Sequence, residues 1–186
     1  HIPDDGLLDT PISAQREAIT QTVRNYIPNM GTLFGMPQVV GSDRQMFVTR
    51  DLDLSGSNLI SQVQSRYILQ QGDVYDTNSS ISVANITSLR EAGRGYPAWV
   101  DPYLQVPDSI TPETLALAEE LSAPHNNPYD IAIAVRNYLR DNIEYNDQIA
   151  APPNDVEPIH YLLFDLQEGY CNYYASAMAI MLRSQG

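Results

Sequence analysis

Gly169-Tyr170-Cys171-Asn172-Tyr173-Tyr174-Ala175-Ser176-Ala177-Met178 is the stretch on which the reading of this chain turns. Gly169 stands just before an apolar periodicity begins, so the backbone can turn sharply into a helix there. Cys171 then falls in the first turn, where unpaired backbone N–H groups and the helix dipole stabilise an anion. A thiolate is an anion and is the reactive form of Cys. The same N–H groups can stabilise the tetrahedral oxyanion of an acyl transfer. The placement suits a nucleophile, although position alone favours the commoner reading of a small, buried, inert Cys. Further on, Ala175, Met178, Ala179, Met181 and Leu182 put apolar residues on most sides of the helix, the pattern of a buried one.

Working outward, residues 111–186 read as helical. Thr111-Pro112-Glu113 sets a cap before a first-turn Pro and acid. Asn127-Pro128 repeats that start signal, with Asp130 in the first turn. Ile131, Val135, Tyr138 and Leu139 share one face. Ala151-Pro152-Pro153-Asn154 is a loop. Residues 1–110 read as a β-rich region with antiparallel pairing. Ile19–Ile27, Gln45–Arg50, Arg66–Gln71 and Ser79–Ser88 favour strands, with Ile81 and Val83 alternating against Ser80 and Ser82. Tyr96-Pro97-Ala98-Trp99 and Asp101-Pro102 read as an extended connector, because a Pro pushes its predecessor out of the α region. The fold class is α+β.

The 186 residues suffice for one large or two small domains with a real core. Hydrophobic residues at 43% and charged ones at 18% mark a globular chain. No apolar run reaches membrane-span length. No signal peptide is evident, and a first residue of His rather than Met is read as processing or excision from something longer. The net charge is −13, and all ten bases are Arg, scattered from Arg16 to Arg183. Nucleic acid and anionic membrane surfaces are therefore poor partners. One Cys and three dispersed His build no soft-ligand metal site, so neither a metal nor another cofactor is expected.

The Cys171 segment, with Leu163-Phe164-Asp165 before it and Met181-Leu182-Arg183-Ser184-Gln185-Gly186 after it, resembles the core motif of bacterial transglutaminase-like proteins. Leu89-Arg90, Gly95-Tyr96-Pro97, Tyr103-Leu104-Gln105-Val106-Pro107, Pro128-Tyr129-Asp130 and Tyr138-Leu139-Arg140 resemble the membrane-anchored branch of that family. The resemblance covers residues 88–186 well and 12–87 loosely. It implies a β-rich N-terminal part followed by the helical half of a papain-like core. It also implies a Cys-His-Asp triad with Cys171 as nucleophile, its His and Asp lying on strands after the Cys helix. The chain by itself is then expected to be inactive, since it stops at Gly186. Tyr170, Asn172 and Tyr173 are the expected substrate-binding neighbours. The implied parent is an extracytoplasmic, membrane-anchored acyltransferase in the periplasm or at the cell exterior, acting on a glutamine or peptide carbonyl of a protein or peptide. A cysteine peptidase or amidase of the same superfamily, or a non-catalytic envelope-associated scaffold, are the alternatives. Lacking the family's later sheet, the chain is expected to self-associate through the Cys171–Arg183 region, to be completed by a further segment, or to fray there.

Two other constellations compete. His160, eleven residues before Cys171, is the nearest imidazole in sequence, and a loop-supporting role is expected for it. Asp51-Leu52-Asp53-Leu54-Ser55-Gly56 mimics the start of a calcium loop, but the twelfth position is Gln62 and the flanks favour strands.

Overall fold

A computed structural model describes residues 15–37, 39–52, 58–96 and 98–186. Two compact units divide between Asn85 and Ile86. The division falls before residue 110, and the second unit opens with helical turns over Ile86–Glu91 and Ala98–Leu104.

The first unit holds β1 (Arg16–Arg24), β2 (Met30–Thr32), β3 (Val39–Ser42), β4 (Met46–Leu52), β5 (Asn58–Leu69) and β6 (Val74–Ser82). They form two antiparallel three-stranded sheets, ordered β1-β6-β3 and β2-β5-β4. Along β6, Tyr75, Thr77 and Ser79 are buried and alternate with exposed Asp76 and Asn78. The buried hydroxyls of Thr77 and Ser79 donate to Gln21 Oε1, and Phe34 N donates to the Tyr75 hydroxyl, so these polar groups are satisfied inside. Leu33, Leu69 and Tyr75 form the core, with Val23, Met30, Met46 and Val63 against it.

Three expectations shift. The buried alternation on β6 runs through Tyr75, Thr77 and Ser79, and Val83 lies exposed beyond the strand. Strand β1 stops at Arg24 rather than Ile27. The Asn25 amide donates to the carbonyls of Ile27 and Gln70, and its carbonyl accepts from Ile27 N, an Asx turn that outcompetes the ladder. Ser79–Ser88 is strand only to Ser82; helix α1 (Ile86–Glu91) follows Asn85. Of the calcium-loop mimic, Asp53–Gly56 lie outside the described residues.

The second unit continues with a 3-10 helix over Ala98–Leu104, α2 (Pro112–Ser122), α3 (Pro128–Asn142), β7 (Glu144–Tyr145), α4 (Pro158–His160), a π-helical turn over Tyr161–Leu166, β8 (Glu168–Gly169) and α5 (Cys171–Arg183). The 3-10 helix replaces the expected extended connector. Val100 and Leu104 face an apolar cleft of about 300 Å³ shared with Ile131, Ala132 and Leu182. That burial outweighs the pre-proline preference of Asp101. Both helix starts fall as expected: Thr111 Oγ1 accepts from Thr114 N, and Asn127 Oδ1 from Asp130 N. The core joins Ile110, Ala118, Val135, Leu139, Ile143, Ile159, Leu162, Leu163, Ala177 and Met181. On α5 only Ala177 and Met181 are fully buried, whereas Ala175, Ser176 and Ala179 are exposed. The expectation of a helix buried on most sides gives way to one buried stripe, because alanine is small enough to face water at little cost.

Candidate active site at the start of the cysteine helix

Two short parallel strands build the approach to Cys171. β7 pairs with β8 so that Glu144 lies against Glu168 and Tyr145 against Gly169. Glu144 N donates to Gln167 O at 2.8 Å, and Asn146 N to Gly169 O at 2.9 Å. Gln167 takes a left-handed conformation, φ 54°, and turns the chain out of the preceding helical turn into β8. At Gly169 a side chain would stand 2.8 Å from Leu162 Cδ1 and 3.1 Å from Tyr173 Cβ, so the segment passes close to two packed residues. Tyr170 is extended and contributes no side-chain cap; Cys171 is the first residue of α5.

The thiol is exposed, and Sγ donates a weak hydrogen bond to Asn172 Oδ1 at 3.7 Å. The Tyr170 carbonyl accepts from Tyr173 N and Tyr174 N. Among the described residues the N–H groups of Cys171 and Asn172 have no protein acceptor. An uncapped helix start thus presents two donors and the positive end of its dipole beside the exposed Cys171 thiol. That arrangement can hold a tetrahedral oxyanion formed by attack of Sγ.

The tyrosines around the turn differ in what they do. Tyr170 and Tyr173 pack edge to face, with ring centroids 5.1 Å apart. Tyr174 is half-buried, and its hydroxyl donates to Ile143 O at 2.5 Å, tying the first turn of α5 to the end of α3. Burial pushes the Tyr174 hydroxyl pKa up, and the nearby Glu144 and Tyr145 push the same way. The Tyr145 ring lies 6.3 Å from that of Tyr174 and is 65% exposed. Neither Tyr145 nor the β7–β8 pairing was visible in the sequence. An aromatic just after a helix end is a weak signal, and its register against Gly169 spans more than twenty residues.

His160 does not join this group. Its Nδ1 is 3.0 Å from Thr111 Oγ1, and its ring packs against Phe164 at 4.9 Å, bracing α4 against the start of α2. His125 sits in the turn between α2 and α3, its N–H bonded to Ser122 O. Among the described residues no three His, Cys, Asp or Glu side chains are grouped to hold a metal. Nor is any described helix long and apolar enough to cross a membrane.

Residues 115–186 match the model of the transglutaminase-like superfamily. The chain is thus a mixed α+β fold whose residues 115–186 are similar to transglutaminase-like domains. Over 88 residues the chain is 38% identical to the uncharacterized protein YebA of Bacillus subtilis (strain 168), covering 46% of this chain and 12% of that protein. Over 84 residues it is 32% identical to a protein-glutamine gamma-glutamyltransferase of Pseudomonas aeruginosa, covering 45% of this chain and 12% of the relative. The chain thus spans about an eighth of the length of these curated relatives. The crystal structure of the periplasmic domain of TgpA from Pseudomonas aeruginosa superimposes with a TM-score of 0.56 at 22% identity, over 91% of this chain and 52% of that one, which shows the shared fold.

Proposed function

We propose that this chain is part of an extracytoplasmic cysteine acyltransferase in which residues 111–186 are the helical half of a transglutaminase-like domain. The observation that carries the reading is the exposed Cys171 on the first residue of α5, beside two unpaired backbone N–H groups. Sγ, as thiolate, attacks the carboxamide carbon of a glutamine side chain; the carbonyl oxygen becomes an oxyanion held by the N–H of Cys171. The amide nitrogen takes up a proton, collapse expels it as ammonia, and a thioester is left. A primary amine then displaces the sulfur to give a cross-link, or water displaces it to give the acid. The general base and its orienting carboxylate are a His and an Asp that the family resemblance puts on strands after Gly186. The commitment of His160 to Thr111 supports a base from elsewhere. Tyr170, Asn172 and Tyr173 are proposed to line the substrate approach. The periplasmic origin of the matched structure supports an extracytoplasmic location, and a membrane-anchored parent belongs to the same proposal.

The test is made in the full-length protein with a glutamine-containing peptide and a labelled primary amine. Cys171→Ala is expected to lower ammonia release and amine incorporation by more than about a thousandfold, with the melting temperature nearly unchanged. Retention of activity within a few-fold overturns the nucleophile assignment. Cleavage of the peptide backbone without ammonia release would identify a peptidase instead, and inertness of both proteins a scaffold.

A further inference from the structure

Tyr145 is set beside the nucleophile turn by two independent features. Its backbone lies opposite Gly169, two residues before Cys171, and the next residue, Asn146, bonds the Gly169 carbonyl. Its ring meets Tyr174, three residues after Cys171 and so on the neighbouring face of the same helical turn. A large aromatic ring is thus left in solvent on the strand paired with the segment that leads into Cys171.

The charge around that ring has one sign. Glu144 and Asp147 are exposed on either side of Tyr145 in the chain, and the Glu144 carboxylate adds to the upward push on the Tyr174 hydroxyl pKa. Among the described residues the only ion pair is Arg90–Asp130, which leaves Glu144 and Asp147 without a cationic partner. Elsewhere in the chain tyrosine rings receive guanidinium groups: Arg66 lies over Tyr67 at 5.8 Å and Arg90 over Tyr129 at 6.0 Å. Tyr145 has no such cover, although its π face and acidic flanks suit a cation equally well.

We propose that Tyr145 is a specificity-determining residue, its ring receiving an arginine or lysine side chain of the peptide that presents its acyl group to Cys171. The inference deepens the acyltransferase reading and rests on Cys171 being the reacting group. It names the substrate class as peptides with a basic residue flanking the acyl donor. The chain's own charge of −13 favours the same partner at long range.

The experiment reads alkylation of Cys171 in the full-length protein, which needs no turnover. Three probes are compared: iodoacetamide, Nα-iodoacetyl-arginine amide and Nα-iodoacetyl-leucine amide, each transferring its carbon to Sγ with loss of iodide. The arginine probe is expected to label about fivefold faster than the leucine probe at low salt. Tyr145→Ala should bring the two to parity while iodoacetamide labelling stays unchanged, and Tyr145→Phe, which keeps the ring, should retain the preference. Glu144→Gln should weaken the preference and its salt dependence. A leucine probe as fast as the arginine probe overturns the proposal. So does an arginine preference that survives Tyr145→Ala, which would trace to overall charge. A Cys171 inert to all three overturns both this inference and the nucleophile reading. Selective labelling without any glutamine turnover would leave the Tyr145 contact standing and remove the transferase.

Discussion

At Gly169 the absence of a side chain is a packing requirement. Leu162, the first neighbour a methyl would meet, is itself fully buried, so its Cδ1 can move aside only by disturbing the packing around it. Gly169→Ala is therefore expected to destabilise by about 1–3 kcal/mol, measured by chemical unfolding, and to slow labelling of Cys171 by displacing the turn ahead of it. Unchanged unfolding would show that the neighbours yield freely. Tyr174 acts one turn later through its hydroxyl. Tyr174→Phe removes the bond to Ile143 O and is expected to cost about 1 kcal/mol. Because the folded-state pKa of Tyr174 is raised, the stability it contributes is present below its ordinary value of 10.0 and is lost as pH rises through the higher folded value. Thermal melts across that alkaline range should fall more steeply for the unaltered protein than for Tyr174→Phe. Parallel curves would mean that the hydroxyl is not linked to folding.

Among the elements, α3 shows how a helix start is built from short polar side chains. Asn127 Oδ1 accepts from Asp130 N at 2.9 Å, and Asn127 Nδ2 donates to Asp130 Oδ2 at 2.8 Å, a reciprocal pair closing the first turn. Asn127→Ala is expected to cost about 1 kcal/mol, read as a lower denaturant midpoint with unchanged slope. The same hydrogen bond, with Arg90 behind it, holds the Asp130 carboxyl below its ordinary pKa, while partial burial pulls the other way. A depressed folded value contributes stability above the unfolded pKa of 3.8 and loses it as pH falls through the folded one. Acid titration should thus be shallower below pH 4 in Asp130→Asn, and an unchanged titration would remove Asp130 from the acid response. The Arg90–Asp130 ion pair adds little, since Arg90 is half-exposed and screened by water.

For the whole molecule, the two hydrophobic clusters share no residue among those described. One draws on residues between Val23 and Tyr75, the other on residues between Val106 and Leu182. A unit with its own core can fold by itself. Residues 86–186 expressed alone are expected to show helical circular dichroism and one cooperative melt. A non-cooperative trace would mean that the second core depends on the first unit. Self-association through the Cys171–Arg183 helix has a modest driving force: the exposed positions there are Cys171, Asn172, Ala175, Ser176 and Ala179, all small or polar, and a net charge of −13 opposes it.

Local signals carried the helices and the place of Cys171 at a helix start. Thr111-Pro112 and Asn127-Pro128 act within a few residues through capping hydrogen bonds, and Gly169 through the room it leaves ahead of Cys171, so the sequence by itself indicated where α2, α3 and α5 begin and that Cys171 opens its helix. The α+β class was legible for the same reason, since periodicities of 2 and 3.6 are local patterns. Pairing across the chain was not. The sheet order around β6, the conversion of the Pro-rich connector into a 3-10 helix over the Val100–Leu104 cleft, and the diversion of His160 to Thr111 each depend on partners distant in sequence. Above all, only tertiary structure brought Tyr145 to Gly169 and Tyr174, because a parallel pairing of two-residue strands has no local signature and is decided by the packing of α3 against α5.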